Sequence, residues 1–232
     1  MCARRLLGFL TLIAFVACAD DPAETVEDTT DTEATVATEP AQDVDEPDMT
    51  DPLAVEFGDD FLIGTAIAGF QVEMGCPTIA PEKCEDRNSD WYAFITDEKT
   101  VKSGSTFIHG DPPSSGPGYW ELYDADHLRA AQQLKNNALR VSLEWSRIFP
   151  TATDDASTPE EIAALADPVA VAHYHDILDS MIGHGLTPLV TLNHYTLPLW
   201  IHDGVGCHVD LDTCSPRGWV DKDRTVKEIA KY

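Results

Sequence analysis

The stretch from Thr187 to Trp200, TPLVTLNHYTLPLW, decides the fold. Its short apolar run, Leu189, Val190 and Leu192, breaks off into Asn193, His194 and Tyr195, and Pro198 then ends regular structure. Such a run fits a buried strand of a parallel sheet. Polar and aromatic residues at its last positions are what an α/β barrel shows where a strand meets substrate. The expectation is a small-molecule site at the C-terminal end of this strand.

Outward from it, apolar runs alternate with helical patterns. Phe61 to Ala66 reads as a first strand, Ala138 to Trp145 as a second and Thr187 to Asn193 as a third. Between the first two lies a loop-rich stretch to about Tyr119, broken by Pro112, Pro113, Gly116, Pro117 and Gly118. The pattern then predicts a helix over Trp120–Asn136. Thr158-Pro159-Glu160-Glu161 has the form of a capping box opening a short helix. Asp167-Pro168 opens another, with Val171, Tyr174, Leu178, Met181 and Ile182 at helical spacing and Gly185 as its stop. A last helix is predicted from Asp223 to Tyr232. Strand–helix repetition implies a parallel sheet with right-handed crossovers.

The second strand separates a barrel from an open sheet. Leu139, Val141 and Leu143 share one face; Arg140, Ser142 and Glu144 share the other. An open doubly wound sheet is covered on both faces and would be apolar on both. A polar face suits a barrel lumen. No glycine-rich phosphate loop follows any predicted strand, which speaks against nucleotide binding.

The N-terminal quarter reads differently. Met1 to Ala17 has a basic start (Arg4, Arg5) and an apolar core from Leu6 to Val16, followed by Cys18: a secretory signal. An apolar run of roughly 12 residues is too short to span a bilayer. Phe15-Val16-Ala17-Cys18 resembles a bacterial lipobox, in which the cysteine is diacylated and becomes the mature N-terminus; plain secretion with cleavage near Ala17 or Ala19 is the alternative. Ala19 to Leu53 carries thirteen Asp and Glu and no Lys or Arg, half of the net charge of −26. Such a segment cannot bury enough apolar surface to fold and reads as a self-repelling tether. The organisation expected is a lipoprotein signal peptide over 1–17, an acidic tether over 18–55 and a folded part over 56–232. An exported protein held to a membrane through Cys18, on the periplasmic or cell-surface side, follows. The charge argues against nucleic acid or anionic lipid as partners.

After export Cys76, Cys84, Cys207 and Cys214 remain, and three pairings are open. Sequence proximity favours Cys76–Cys84 and Cys207–Cys214. With no CxxC pair and no matched histidine cluster, no metal site is expected.

Three motifs now align with a family. Phe61–Glu73, FLIGTAIAGFQVE, resembles the N-terminal signature of glycoside hydrolase family 1, the β-glucosidase and β-galactosidase family. Arg140–Pro150, RVSLEWSRIFP, is similar to its second-strand motif and Thr191–Trp200 to its third. Gly116–Trp120 and Leu199–Asp203 look closest to the archaeal-type β-glycosidase branch. The resemblance covers about 56 to 232. It implies an α/β fold, the first three βα units of a (β/α)8 TIM barrel, incomplete, and a retaining hydrolase of terminal β-linked sugars that needs no cofactor.

The resemblance also implies roles. Gln71, His194 and the residue after it, here Tyr195 where the family has Trp, would bind hydroxyls of the non-reducing sugar. The chemistry agrees: an amide donates and accepts, a histidine donates, and an aromatic ring faces the C–H side of a sugar. Arg140 would support the nucleophile by keeping its carboxylate ionised. Trp145 and Trp200 would shape the pocket wall. Glu73 and Glu144 match positions that are not catalytic.

A retaining glycosidase needs two carboxyl groups about 5–5.5 Å apart. In this family they are glutamates ending the fourth and seventh strands, in NEP-like and ENG-like motifs. Neither motif occurs here, so the expectation is an N-terminal piece of a longer enzyme, with both catalytic glutamates beyond Tyr232 and no activity of its own. Its third strand would be an exposed edge, and Arg140 would lack its carboxylate. The alternative is a non-catalytic carbohydrate-binding or degenerate surface lipoprotein.

Overall fold

A three-stranded parallel sheet, its strands side by side in chain order, organises the protein, described by a computed structural model at residues 57–58, 60–103 and 108–232. The signal, Cys18 and the tether lie outside the described residues. In chain order the elements are β1 (Gly64–Ala66), α1 (Gly69–Glu73), α2 (Pro81–Cys84), α3 (Asp90–Thr96), α4 (Glu98–Lys102), α5 (Tyr119–Gln132), β2 (Ala138–Ser142), α6 (Trp145–Ile148), α7 (Pro159–Ala163), α8 (Pro168–Gly183), β3 (Thr187–Thr191), α9 (Gly206–Val209) and α10 (Lys222–Ile229). Ala66, Arg140 and Leu189 stand in register across the sheet.

The strands are shorter than their sequence patterns predicted. Phe61–Ile63 precede the ladder, where the Asn137 side chain takes over: its Oδ1 accepts from Ile63 N–H and its amide donates to the Phe61 carbonyl. Strand β2 stops at Ser142 because the Glu144 carbonyl starts a helical turn, accepting from Arg147 and Ile148 N–H. Trp145 therefore opens α6 instead of closing a strand. Strand β3 stops at Thr191, and a turn occupies 193–196. The loop-rich stretch holds two capped helices the periodicity did not predict: Ser89 Oγ accepts from Trp91 N–H at α3, and Asp97 from Thr100 N–H at α4.

The helices flanking β2 follow their local signals. Thr158 and Glu161 form the capping box of α7. Asp167 Oδ1 accepts from Val169 and Ala170 N–H ahead of Pro168 in α8, and Gly185, at φ +80°, follows its end. Tyr174, Ile177 and Met181 of α8 pack with Tyr119, Trp120 and Ala130 of α5 over Leu139 and Val141. The predicted stripe is off at its end: Ile182 is 61% exposed, while Ile177, absent from it, is fully buried. A second cluster joins Trp145, Phe149, Leu197 and Ile201, with Trp200 and Tyr232 against it.

Both favoured disulfides are present: Cys76–Cys84 with Cα atoms 5.9 Å apart, and Cys207–Cys214 at 5.0 Å. Among the described residues β1 and β3 each pair with β2 alone, so β3 has the unpaired edge expected of it. Its apolar run, read as buried, is not: Leu189, Val190 and Leu192 are exposed where no further element among the described residues covers them.

Candidate functional site

Parallel strands send all their C-terminal ends to one side, and the sequence-predicted contacts follow β1 and β3 there. Gln71 lies in α1, five residues past Ala66, with its side chain exposed. It lines a cavity of about 440 Å³ with Phe70, Met74, Trp91 and Pro112. His194 and Tyr195 sit in the turn after β3, their rings 4.7 Å apart and edge to face. Tyr195 adopts φ +72°, a left-handed conformation uncommon outside glycine. Thr196 N–H donates to the His194 carbonyl, and the Asn193 amide donates to the Thr196 carbonyl. This turn leaves Tyr195 67% exposed.

Trp91 connects the two halves. It stacks parallel to Tyr195 at 6.2 Å and meets Phe70 edge to face at 5.8 Å. Sequence reasoning missed it because it lies in the stretch read as loop. The usable signal was Ser89-Asp90 ahead of Trp91, Phe94 and Ile95, a cap followed by helical spacing. The Asp90 carboxyl fixes this segment to the third motif, accepting from Leu197 N–H at 2.9 Å and holding His202 Nδ1 at 2.8 Å.

Arg140 stands on the polar face of β2 between the two halves. Its Nε is buried with no hydrogen-bond partner among the described residues, an orphaned donor where the resemblance places a carboxylate. Trp145 and Trp200 come together elsewhere. Trp145 is 1% exposed, meets Trp200 edge to face at 5.4 Å and stacks on Tyr232. Trp200 Nε1 donates to the Phe149 carbonyl. Neither lines the Gln71 cavity.

Behind the cleft lies a buried charged network. Glu144 Oε1 accepts from Phe70 N–H at 3.0 Å, and Oε2 accepts from the Thr196 hydroxyl at 2.5 Å. Glu144 N–H donates to Tyr174 Oη, whose hydroxyl donates to Glu73 Oε1. Arg147 Nε donates to Glu73 Oε2 at 2.7 Å and Nη2 to the Cys84 carbonyl, and its guanidinium lies over Trp120. Ser146 donates to Asp86. Burial pushes the Glu144 carboxyl well above the usual carboxylate range, with Glu73 adding to it. Burial raises Glu73 and Asp86 too, against the pull of Arg147. Glu73 and Glu144 are fully enclosed and committed to these partners, so neither faces the cleft as a catalytic acid or base would. No group of three or more metal-binding side chains occurs among the described residues.

A parallel sheet with crossover helices, and an amide, a histidine and stacked aromatics beyond its strand ends, has the arrangement of an incomplete α/β barrel with a small-molecule cleft. The comparisons with known proteins sharpen that class. The profile of Glycosyl hydrolase family 1 matches residues 53–215. The chain is 36% identical over 196 residues to a β-galactosidase of Pyrococcus woesei, covering 76% of this chain and 37% of that one. It is 34% identical over 198 residues to a β-galactosidase of Sulfolobus acidocaldarius, covering 77% and 38%. The β-glycosidase structure from Thermosphaera aggregans superposes with a TM-score of 0.68 at 33% identity, over 77% of this chain and 39% of that one. This chain belongs to glycosyl hydrolase family 1. It spans under two-fifths of the length of these relatives.

Proposed function

We propose that this chain carries the part of an exported, lipid-anchored β-glycosidase that recognises the terminal sugar, β-linked glucose or galactose. Gln71 and His194 take its hydroxyls, and Tyr195, with Trp91 stacked beside it, offers the aromatic surface. The observation that carries this reading is the ring series Phe70–Trp91–Tyr195–His194, which joins the ends of β1 and β3 into one surface beside Gln71. Hydrolysis with retention needs an acid/base and a nucleophile, which the family supplies from its fourth and seventh strands. Arg140, with its unpaired Nε, is suited to accompany that nucleophile. The 232 residues alone bind sugar without cleaving it. The quoted relatives are named as β-galactosidases and a β-glycosidase, which favours this reading over a non-catalytic lipoprotein. Export and anchoring rest on Arg4, Arg5, the apolar run and Cys18.

Two measurements on the purified chain test the proposal. Calorimetry should give saturable binding of glucose, galactose or cellobiose, and an aryl β-glucoside should not be turned over. No saturable binding of any of the three would overturn the recognition role, and turnover would overturn the assignment of catalysis to other strands.

A further inference from the structure

The two segments that hold the proposed sugar contacts share no backbone ladder, because β2 stands between β1 and β3. One side chain spans the gap. Glu144 Oε1 takes the N–H of Phe70, the residue before Gln71, and Oε2 takes the hydroxyl of Thr196, two residues after His194. Its own N–H is anchored on Tyr174 of α8. An alanine methyl at Gly69 would stand 2.5 Å from Oε1, so the glycine leaves room for the carboxyl at this point. Ser142, next on the same face of β2, accepts from Gly69 N–H at 2.6 Å and holds the same turn. All three family motifs therefore converge on one buried carboxyl.

Building on the sugar-recognition reading, we infer that Glu144 is a positioning residue that sets the separation of Gln71 from His194 and so tunes affinity for the terminal sugar. A carboxyl offers two acceptors at a fixed spacing, and two acceptors bound to two different turns act as a rigid spacer. A general packing role would stabilise the fold without acting on sugar affinity. Glutamine keeps the spacer, since its carbonyl accepts from Phe70 and its amide donates to Thr196 Oγ1. Leucine fills the volume and breaks both links.

The test uses the full chain with methyl β-glucoside as the probe. Calorimetry gives affinity, and NMR hydrogen exchange at the Phe70 amide reports the link to Oε1. Glu144→Gln should bind within threefold of wild type. Glu144→Leu should bind at least tenfold more weakly, with faster Phe70 exchange. Thr196→Val cuts only the His194 side; it should weaken binding with Phe70 exchange unchanged, and it decides the matter should the leucine variant fail to fold. Wild-type affinity in folded Glu144→Leu or in Thr196→Val would overturn the positioning role alone. No binding by wild type of either methyl β-glucoside or, titrated in its place, methyl β-galactoside would overturn the sugar-recognition reading, and the positioning role with it.

Discussion

Replacing Arg147 with methionine should be among the most damaging single changes in this protein, and its cost should depend on pH. The guanidinium lies almost wholly inside, bonded to Glu73 and the Cys84 carbonyl and stacked on Trp120. Methionine keeps the volume and an apolar contact with Trp120 but leaves Glu73 and Asp86 without their cation. Breaking a buried pair from one side costs about 3–5 kcal/mol, because the remaining charge is buried without compensation. That is a fifth or more of the ~5–15 kcal/mol that holds a typical domain folded. The sign with pH follows from the carboxyls. Glu73 and Asp86 already have folded pKa values above their usual 4.5 and 3.8. Stability that depends on their protonated form is present below those values and lost as pH rises through the folded ones. Removing Arg147 raises the folded values further, so the gap between wild type and Arg147→Met should widen from pH 5 to pH 8. Urea unfolding followed by circular dichroism at both pH values measures it, and adding Glu73→Gln to the variant should recover part of the loss at pH 8. A cost under about 1 kcal/mol at pH 8, or equal costs at both pH values, would refute the reasoning.

Other outcomes follow from the same structure. Burial lowers His127, held between Tyr119 and Ser180, to about 4, so its contribution is present above its ordinary 6.5 and lost as pH falls through 4. Wild type should lose on the order of 2 kcal/mol between pH 6.5 and 4 that His127→Gln does not lose, read from urea midpoints. Replacing Cys207 and Cys214 together by serine should cost about 2.5 kcal/mol for a short closed loop, and unchanged unfolding would contradict it. Gly204→Ala would drive a methyl into the Asp90 carbonyl and should cost about 1–3 kcal/mol, visible as a lower Tm. Cys18→Ala should abolish incorporation of labelled fatty acid in the producing cell; retained label would remove the anchor.

The sequence exposed the parts of this structure that depend on local chemistry. Alternation across Leu139–Glu144 put the apolar residues on the helices and Arg140, Ser142 and Glu144 on the opposite face, as found. The capping residues Thr158 and Asp167 start their helices because each oxygen takes N–H groups a few residues on. What stayed hidden depends on distant partners. Helix α3 is short, and its start is tied to Leu197, 107 residues away. The bend after Ser142 follows from Glu144 turning inward to two other segments. Trp91 joins the candidate site only because that folding brings it to Tyr195. Trp145 and Trp200 carried the right motif, yet packing places them in the second core cluster, with Tyr232 stacked on Trp145.

The central claim, that the ends of β1 and β3 hold a terminal sugar, is tested most directly by titrating methyl β-glucoside and methyl β-galactoside into four proteins: wild type, Gln71→Ala, His194→Ala and the distant surface variant Leu134→Gln. The account predicts saturable binding of at least one sugar by wild type and Leu134→Gln, and at least tenfold weaker binding by the other two. Equal affinity in all four, or none in wild type, would contradict it.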